Sequence, residues 1–243
     1  MIEVKNLSVS YSQDEVVSNV NFTFKNQSLI GIIGPNGAGK STMIKALLNL
    51  IEKDSGTILI DGIDIEKAKA KVAYVAQRNN IDWDFPINVF DTVIMGTYPK
   101  VGVFKRPGKK ENVLVENALK RVSMWEYRNQ QIGELSGGQQ QRVFLARALV
   151  QEADIYFLDE PFVGVDAKSE AAIVQVLKDL RNEGKIVFVV NHDLGKVEDY
   201  FDELILMNRE VLDIGTVEEV FTYEKMSHAY GSDIAIPRLN EVK

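Results

Sequence analysis

The sequence predicts an α/β protein with a mainly parallel sheet, an antiparallel β part at its N-terminus and an inserted helical part. Three observations support this prediction. Apolar and polar residues alternate over residues 1–24, which is typical of half-buried strands, most simply antiparallel ones. The order strand, helix, strand between residues 155 and 193 indicates a parallel sheet. Between residues 82 and 150 the strand signal fades and helical periodicity dominates.

A glycine-rich loop, called the P-loop below, follows the apolar run that ends at Ile33. It fits the pattern G-x-x-x-x-G-K-[ST], and a helical pattern comes directly after it. Glycines let backbone N–H groups turn toward a polyphosphate, and the following helix adds about half a positive charge at its N-terminus. A plain turn between strand and helix is the weaker interpretation of so complete a match. The expected contacts of the bound nucleotide are Gly34, Pro35, Asn36, Gly37, Ala38, Gly39, Lys40, Ser41 and Thr42.

Composition limits the classes of function. The 243 residues carry a net charge of −7, which argues against nucleic acid as a partner, because such binding relies on Lys and Arg. The absence of cysteine excludes disulfides and thiolate metal sites, and it permits a reducing, cytoplasmic compartment. We expect no signal peptide, since Glu3 and Lys5 interrupt the start of the chain. The apolar runs are strand-sized and too short to cross a bilayer.

Polar residues follow three of the apolar runs. Gln77 comes after residues 72–76, Asp159 and Glu160 end the run at 155–158, and His192 comes after 186–190. Open α/β sheets build their sites at such strand ends, although each residue taken alone could be an ordinary surface or packed residue.

A second glycine-rich loop, the signature loop, spans residues 135–139 at the start of another helix. Gly137 and Gly138 follow Ser136, so their N–H groups can form another phosphate-sized nest, with the Ser136 hydroxyl as an extra donor. In isolation this would be a plain N-capped helix. In a chain that also holds a P-loop and a strand ending in Asp-Glu, it indicates a second phosphate-binding element.

Together these motifs resemble the nucleotide-binding subunits of ATP-binding cassette (ABC) transporters, and the resemblance covers essentially the whole chain. It implies one domain over residues 1–243. Its nucleotide-binding core and β subdomain would comprise 1–81 and 151–222, its helical subdomain 82–150, and its C-terminal tail 223–243. The family positions match the Walker A loop at 34–42, the Q-loop Gln77, the signature at 135–139, the Walker B strand at 155–159, the catalytic Glu160, the D-loop Asp166, the switch His192 and the adenine-stacking Tyr11.

The resemblance implies hydrolysis of ATP with Mg²⁺. Ser41, Gln77 and Asp159 would hold or approach the ion, which needs few protein ligands. Glu160 would activate the attacking water, and Lys40 and His192 would act on the γ-phosphate. A second copy of the chain would complete each site with its signature residues Ser136, Gly137, Gly138 and Gln139 and form a homodimer around two ATP molecules. The D-loop residue Asp166 is a further expected contact of the nucleotide.

Residues 80–87, 95–98 and 102–107 resemble the branch of the family that energises uptake of manganese, zinc or iron. That likeness implies separate permease subunits in the membrane, an extracellular or periplasmic metal-binding protein as an indirect partner, and a peripheral location on the cytoplasmic face. Trp83 and Phe85 either pack in the core or line a groove for the permease. Without cysteine the chain offers no cluster to select a metal, so manganese is expected first by family likeness alone.

Other functions stay open on sequence alone. A soluble ABC ATPase would be expected to show a coiled-coil insertion, a second cassette or a basic face. A P-loop kinase or GTPase would use the P-loop but not the signature loop. A transporter subunit for another substrate is a further alternative. The basic cluster at residues 105–110 fits a solvated loop better than a site for lipid headgroups or an acidic partner.

Overall fold

The computed structural model describes residues 1–12, 14–77, 85–102 and 105–231. The chain divides into two compact units, Met1–Lys69 with Ile186–Lys243, and Ala70–Lys185. The elements of the described residues are, in chain order, β1 (Ile2–Tyr11), β2 (Asp14–Phe24), β3 (Ser28–Ile33), α1 (Lys40–Leu47), β4 (Ser55–Ile60), β5 (Ile63–Asp64), β6 (Val72–Val75), α2 (Val89–Ile94), α3 (Tyr98–Val101), α4 (Lys109–Arg121), α5 (Gly137–Leu149), β7 (Ile155–Asp159), α6 (Ala167–Asn182), β8 (Ile186–Val190), α7 (Val197–Tyr200), β9 (Glu203–Asn208), β10 (Glu210–Thr216), α8 (Val217–Val220) and α9 (Tyr223–Tyr230).

The first unit begins with the predicted antiparallel β part. β1 pairs with β2 and with β4, and the four-stranded sheet has the order β2-β1-β4-β5. The inward residues of β1 do not keep a strict period of two, because the register shifts between Val4 and Leu7. This irregularity keeps Val4 and Leu7 both buried, as a β-bulge does.

The same unit holds the strand that leads into the P-loop. β3 pairs in parallel with β8 on one side and with β9 on the other, and β10 extends β9 as an antiparallel hairpin. Every residue of β3 and β8 is buried, which explains why their sequences are continuous apolar runs. These pairings confirm the prediction of an α/β fold with a mainly parallel sheet.

The second unit contains the predicted helices. β6 and β7 pair in parallel, with Val75 opposite Leu158. Among the described residues between 85 and 150, the elements are helices and 3₁₀ turns, and an isolated bridge joins Asn88 to Gln131. The subdomain limits expected at residues 81, 150 and 222 are not the limits of the two units and stay a prediction.

Parts of the predicted stretches lie outside the described residues. These are residues 80–84 and 103–104 of the segments that resemble the metal-uptake branch, and residues 232–243 of the tail. The side chain of Phe85 is described and is 60% exposed, so of the two alternatives given for it, packing in the core is wrong. No helix formed by the described residues is long and apolar enough to cross a bilayer.

The C-terminal part of the described chain consists of two helices. A capping box is present at Thr216 and Glu219, and the helix it begins, α8, ends at Val220. A further helix, α9, follows in the same unit, and its residues Met226 and Ala229 are buried.

Candidate active site

Neighbouring backbone lies so close to the P-loop that two of its glycines leave no room for a side chain. A Cβ atom on Gly34 would lie 2.0 Å from the Met207 carbonyl oxygen, and one on Gly39 would lie 2.6 Å from the Val16 carbonyl oxygen. Gly39 also has a φ of +86°, in the left-handed region that side chains disfavour. The loop therefore owes its shape to β2 and β9 as well as to its own sequence.

Lys40 is the cation of this loop. Its side chain is only 5% exposed, and its Nζ donates hydrogen bonds to the carbonyl oxygens of Gly34, at 2.7 Å, and Pro35, at 2.8 Å. Helix α1 begins here with Gly39 at its N-cap, without a side-chain cap and without an acidic residue in its first turn. A buried ammonium beside a helix N-terminus forms an electropositive cradle, which suits a phosphate.

His192 lies at the same edge of the parallel strands as the P-loop. Ile32 of β3 pairs with Val190 of β8, so the loops that follow these two strands begin side by side. The loop after β8 is fixed by Asn191, whose N–H donates to the Ile32 carbonyl at 3.1 Å and whose amide donates to the Asp193 carbonyl at 2.8 Å. His192 itself is exposed. Tyr11 is also exposed, at the end of β1 in the antiparallel sheet.

The second unit brings Gln77, Asp159 and Glu160 together at the ends of β6 and β7. The Gln77 amide nitrogen donates to the Glu160 carboxylate at 2.6 Å. Glu160 has a φ of +52°, an uncommon conformation for a residue with a side chain, of the kind that clusters at functional sites. No sequence pattern indicated that Gln77 and Glu160 would contact each other.

Tyr74 is a residue of this group that the sequence did not reveal. Its hydroxyl lies 3.5 Å from a carboxylate oxygen of Asp159, which is itself buried. Burial, reinforced by the charge of Asp159, raises the pKa of Tyr74 well above its usual value, so the phenol stays protonated and can donate. Tyr74 is the one residue of the apolar run 72–76 whose side chain can form a hydrogen bond, and this was the available signal.

The signature loop caps its own helix. The Ser136 hydroxyl accepts from the Gln139 N–H at 3.4 Å, and the Gln139 side-chain oxygen accepts from the Ser136 N–H at 2.8 Å. A Cβ on Gly138 would lie 2.6 Å from Ser169 and 2.8 Å from an Asp166 carboxylate oxygen. Asp166 in turn caps α6, and the Ser169 N–H lowers the pKa of its carboxyl. The predicted signature and D-loop residues thus meet in the second unit.

The fold and these residues define a P-loop ATPase with a signature loop, the class of ABC cassettes. The family model described as "ABC transporter" matches residues 17–163. The chain belongs to this family and is one of its ATP-binding, ATP-hydrolysing subunits.

Curated relatives resemble nearly the whole chain. The manganese transport system ATP-binding protein MntB of Halalkalibacterium halodurans is 50% identical, over 97% of this chain and 94% of its own length. The zinc transport system ATP-binding protein TroB of Treponema pallidum is 48% identical, over 99% of this chain and 91% of its own length. A bacterial ABC transporter cassette solved as a dimer has a TM-score of 0.78 and 29% identity, over 89% of this chain and 99% of its own.

Proposed function

We propose that this chain powers the import of a transition metal ion, manganese before zinc or iron, through a separate membrane permease. The observation that carries the proposal is the similarity over almost the full length to proteins named for manganese and zinc transport. Because the two similarities are nearly equal, the order of the metals is the part that experiment must decide. An extracellular or periplasmic binding protein would deliver the metal to the permease.

The residues of the site fit Mg²⁺ together with ATP. The hydroxyl of Ser41, the amide oxygen of Gln77 and the carboxylate of Asp159 are hard oxygen ligands, which Mg²⁺ prefers. The Gln77 nitrogen contacts Glu160, and this leaves the amide oxygen as the atom for the ion. When bound, Mg²⁺ neutralises charge on the β- and γ-phosphates.

The protein groups have separate tasks in this proposal. Lys40 exchanges its two carbonyl partners for phosphate oxygens. Glu160 orients the attacking water and accepts its proton, and His192 donates to the γ-phosphate. Gln77 holds the Glu160 carboxylate before ATP arrives, and it is the expected relay to the permease. Tyr11 stacks on the adenine ring.

The dimeric form is also part of the proposal. In-line attack needs donors on the far side of the γ-phosphate, and Lys40 does not supply them all. The signature loop of a second copy would supply them, which the dimeric state of the related cassette supports. Bound ATP would then stabilise the closed dimer, and hydrolysis would allow the dimer to open. This cycle of closing and opening would drive the permease from the cytoplasmic face of the membrane.

Glu160→Gln tests the coupling of hydrolysis to transport. The amide cannot accept the proton, so we expect hydrolysis to fall by about 100-fold or more while ATP binding persists. The ATP-bound variant should elute as a dimer in size-exclusion chromatography. In a deletion strain grown under metal limitation, the variant should fail to restore growth and cellular manganese, whereas wild type and the surface variant Glu152→Gln should restore both.

Several outcomes would contradict the proposal. An active Glu160→Gln variant that stays monomeric with ATP would refute the sandwiched dimer. A deletion strain whose manganese, zinc and iron contents all remain normal would refute metal import. Recovery of growth by zinc or iron alone would replace manganese as the substrate.

A further inference from the structure

Arg142 lies in the second turn of α5, the helix that the signature loop begins. Its half-buried side chain donates hydrogen bonds to two backbone carbonyl groups that belong to different elements. Nη1 donates to the Val122 carbonyl at 3.1 Å, and Nε donates to the Gly138 carbonyl at 3.4 Å. One guanidinium therefore joins the signature loop to the C-terminal end of α4.

The Val122 carbonyl is an acceptor that needs such a donor. Val122 is the C-cap residue of α4, and the last carbonyl groups of a helix have no donor within the helix and carry partial negative charge. Val122 is also buried, so water has little access to it. The cation of Arg142 satisfies this helix end, and the helix end in turn fixes the position of the guanidinium.

A second side chain of α5 holds the loop from the other direction. The Gln140 amide nitrogen donates to the carbonyl of Ile132, in the 3₁₀ turn just before the loop, at 3.1 Å. Gln140 is buried, so this bond is shielded from water. The reciprocal cap of Ser136 and Gln139 gives the loop its shape, whereas Gln140 and Arg142 set its place relative to the neighbouring elements.

We propose that Arg142 is a positioning residue for hydrolysis: its guanidinium holds the signature loop at the end of α4, in the place from which Ser136 and Gly138 would act on the ATP of a second copy. The inference rests on the proposed function, because the signature loop acts only in the assembled dimer. Arg142 works through the backbone of the loop and does not touch the nucleotide. Arginine suits this task, because its fork offers several N–H groups in fixed geometry where lysine offers a single nitrogen.

Arg142→Gln tests the inference in the Glu160→Gln background, in which ATP should trap the dimer. The ATP concentration for half-maximal dimer in size-exclusion chromatography should rise by about tenfold or more, because a displaced loop engages the second ATP poorly. In a chain that keeps Glu160, Arg142→Gln should lower kcat by a similar factor. The dissociation constant of the monomer for Mg-ATP should stay unchanged, since the P-loop is intact.

Two further variants separate positioning from stability and from charge. Arg128→Gln is the matched control: Arg128 is half-buried in the same unit and donates to the Trp125 carbonyl at 3.2 Å, outside the signature loop. It should leave dimer formation and kcat unchanged. Arg142→Lys keeps the charge but not the fork, and it should remain impaired in both measurements.

The inference would be overturned by an Arg142→Gln variant that dimerises and hydrolyses ATP as its parent does. Full activity of Arg142→Lys would also overturn it, because charge alone would then suffice. Equal losses in Arg128→Gln would assign the effect to stability. If Arg142→Gln does not fold, Arg142→Lys carries the same two measurements. A Glu160→Gln chain that forms no dimer with ATP would instead refute the proposed function itself.

Discussion

The P-loop and the signature loop are both glycine-rich turns that begin a helix, yet the N-termini of the two helices are capped differently. Helix α1 starts at Gly39 without a side-chain cap. Helix α5 starts at Ser136, and Ser136 and Gln139 cap it reciprocally. The P-loop also holds its own buried cation, Lys40, for which the described signature loop has no counterpart.

This difference shows what each loop is built to do. An uncapped helix start leaves its N–H groups for a ligand, and the buried Lys40 adds a full charge to the same place. A helix start that is capped by its own side chains is stable without a ligand. This suits a loop that would contact ATP only when a second copy of the chain binds. In our interpretation the P-loop binds nucleotide within one chain, and the signature loop acts on the nucleotide of another.

Removing the positive charge of Lys40 should have the largest effect on ATP binding. Lys40→Ala should weaken Mg-ATP binding by about 100-fold or more, since the phosphates lose a preorganised charged donor. Isothermal titration calorimetry on the isolated chain measures this loss directly. Lys45→Ala, on the last turn of the same helix, is the control and should bind as wild type does. Equal losses in both variants would mean that net charge, not the cradle, attracts ATP.

Gly138→Ala should have an intermediate effect, confined to the assembled site. The added methyl would clash with Ser169 and Asp166, and overpacking of this kind costs about 1–3 kcal/mol. We expect ATPase activity to fall while ATP binding to the monomer stays unchanged. Gly108→Ala, at the N-cap of α4, is the control and should be tolerated, because its methyl would meet only Glu111, at 3.4 Å. Impaired ATP binding by the Gly138→Ala monomer would contradict the proposal that the signature loop acts only on the nucleotide of a second copy.

Ser136→Ala should have the smallest effect on the fold and a specific effect on function. Loss of an N-cap costs about 1 kcal/mol, which urea denaturation can measure. Thr216→Ala removes the equivalent cap from α8 and should cost a similar amount. Only Ser136→Ala should also slow hydrolysis, by about tenfold, because its hydroxyl is expected on the γ-phosphate of the partner's ATP. If both variants slowed hydrolysis equally, stability alone would explain the loss.

Local sequence predicted the elements that local chemistry controls. The helix start after the P-loop and the N-capped helix start at Ser136 follow from residues within one turn of each other. The buried strands β3 and β8 follow from their unbroken apolar runs. Contacts between distant residues did not follow, and the exposed Phe85 shows that an apolar residue alone does not establish burial.

By itself the sequence determined that this chain has the residues to bind and hydrolyse ATP, and to which family it belongs. Glycines, a lysine, carboxylates and a histidine in this order suffice for that, because residue type, order and spacing are properties of the chain itself. Only the tertiary structure decided why Gly34 must be glycine, where Lys40 rests before ATP binds, and that Gln77 holds Glu160. Gly34 and Met207, like Gln77 and Glu160, are far apart in sequence, and packing brings them within a few ångströms. The Lys40 bonds join residues five and six positions apart, but they depend on a loop shape that packing imposes.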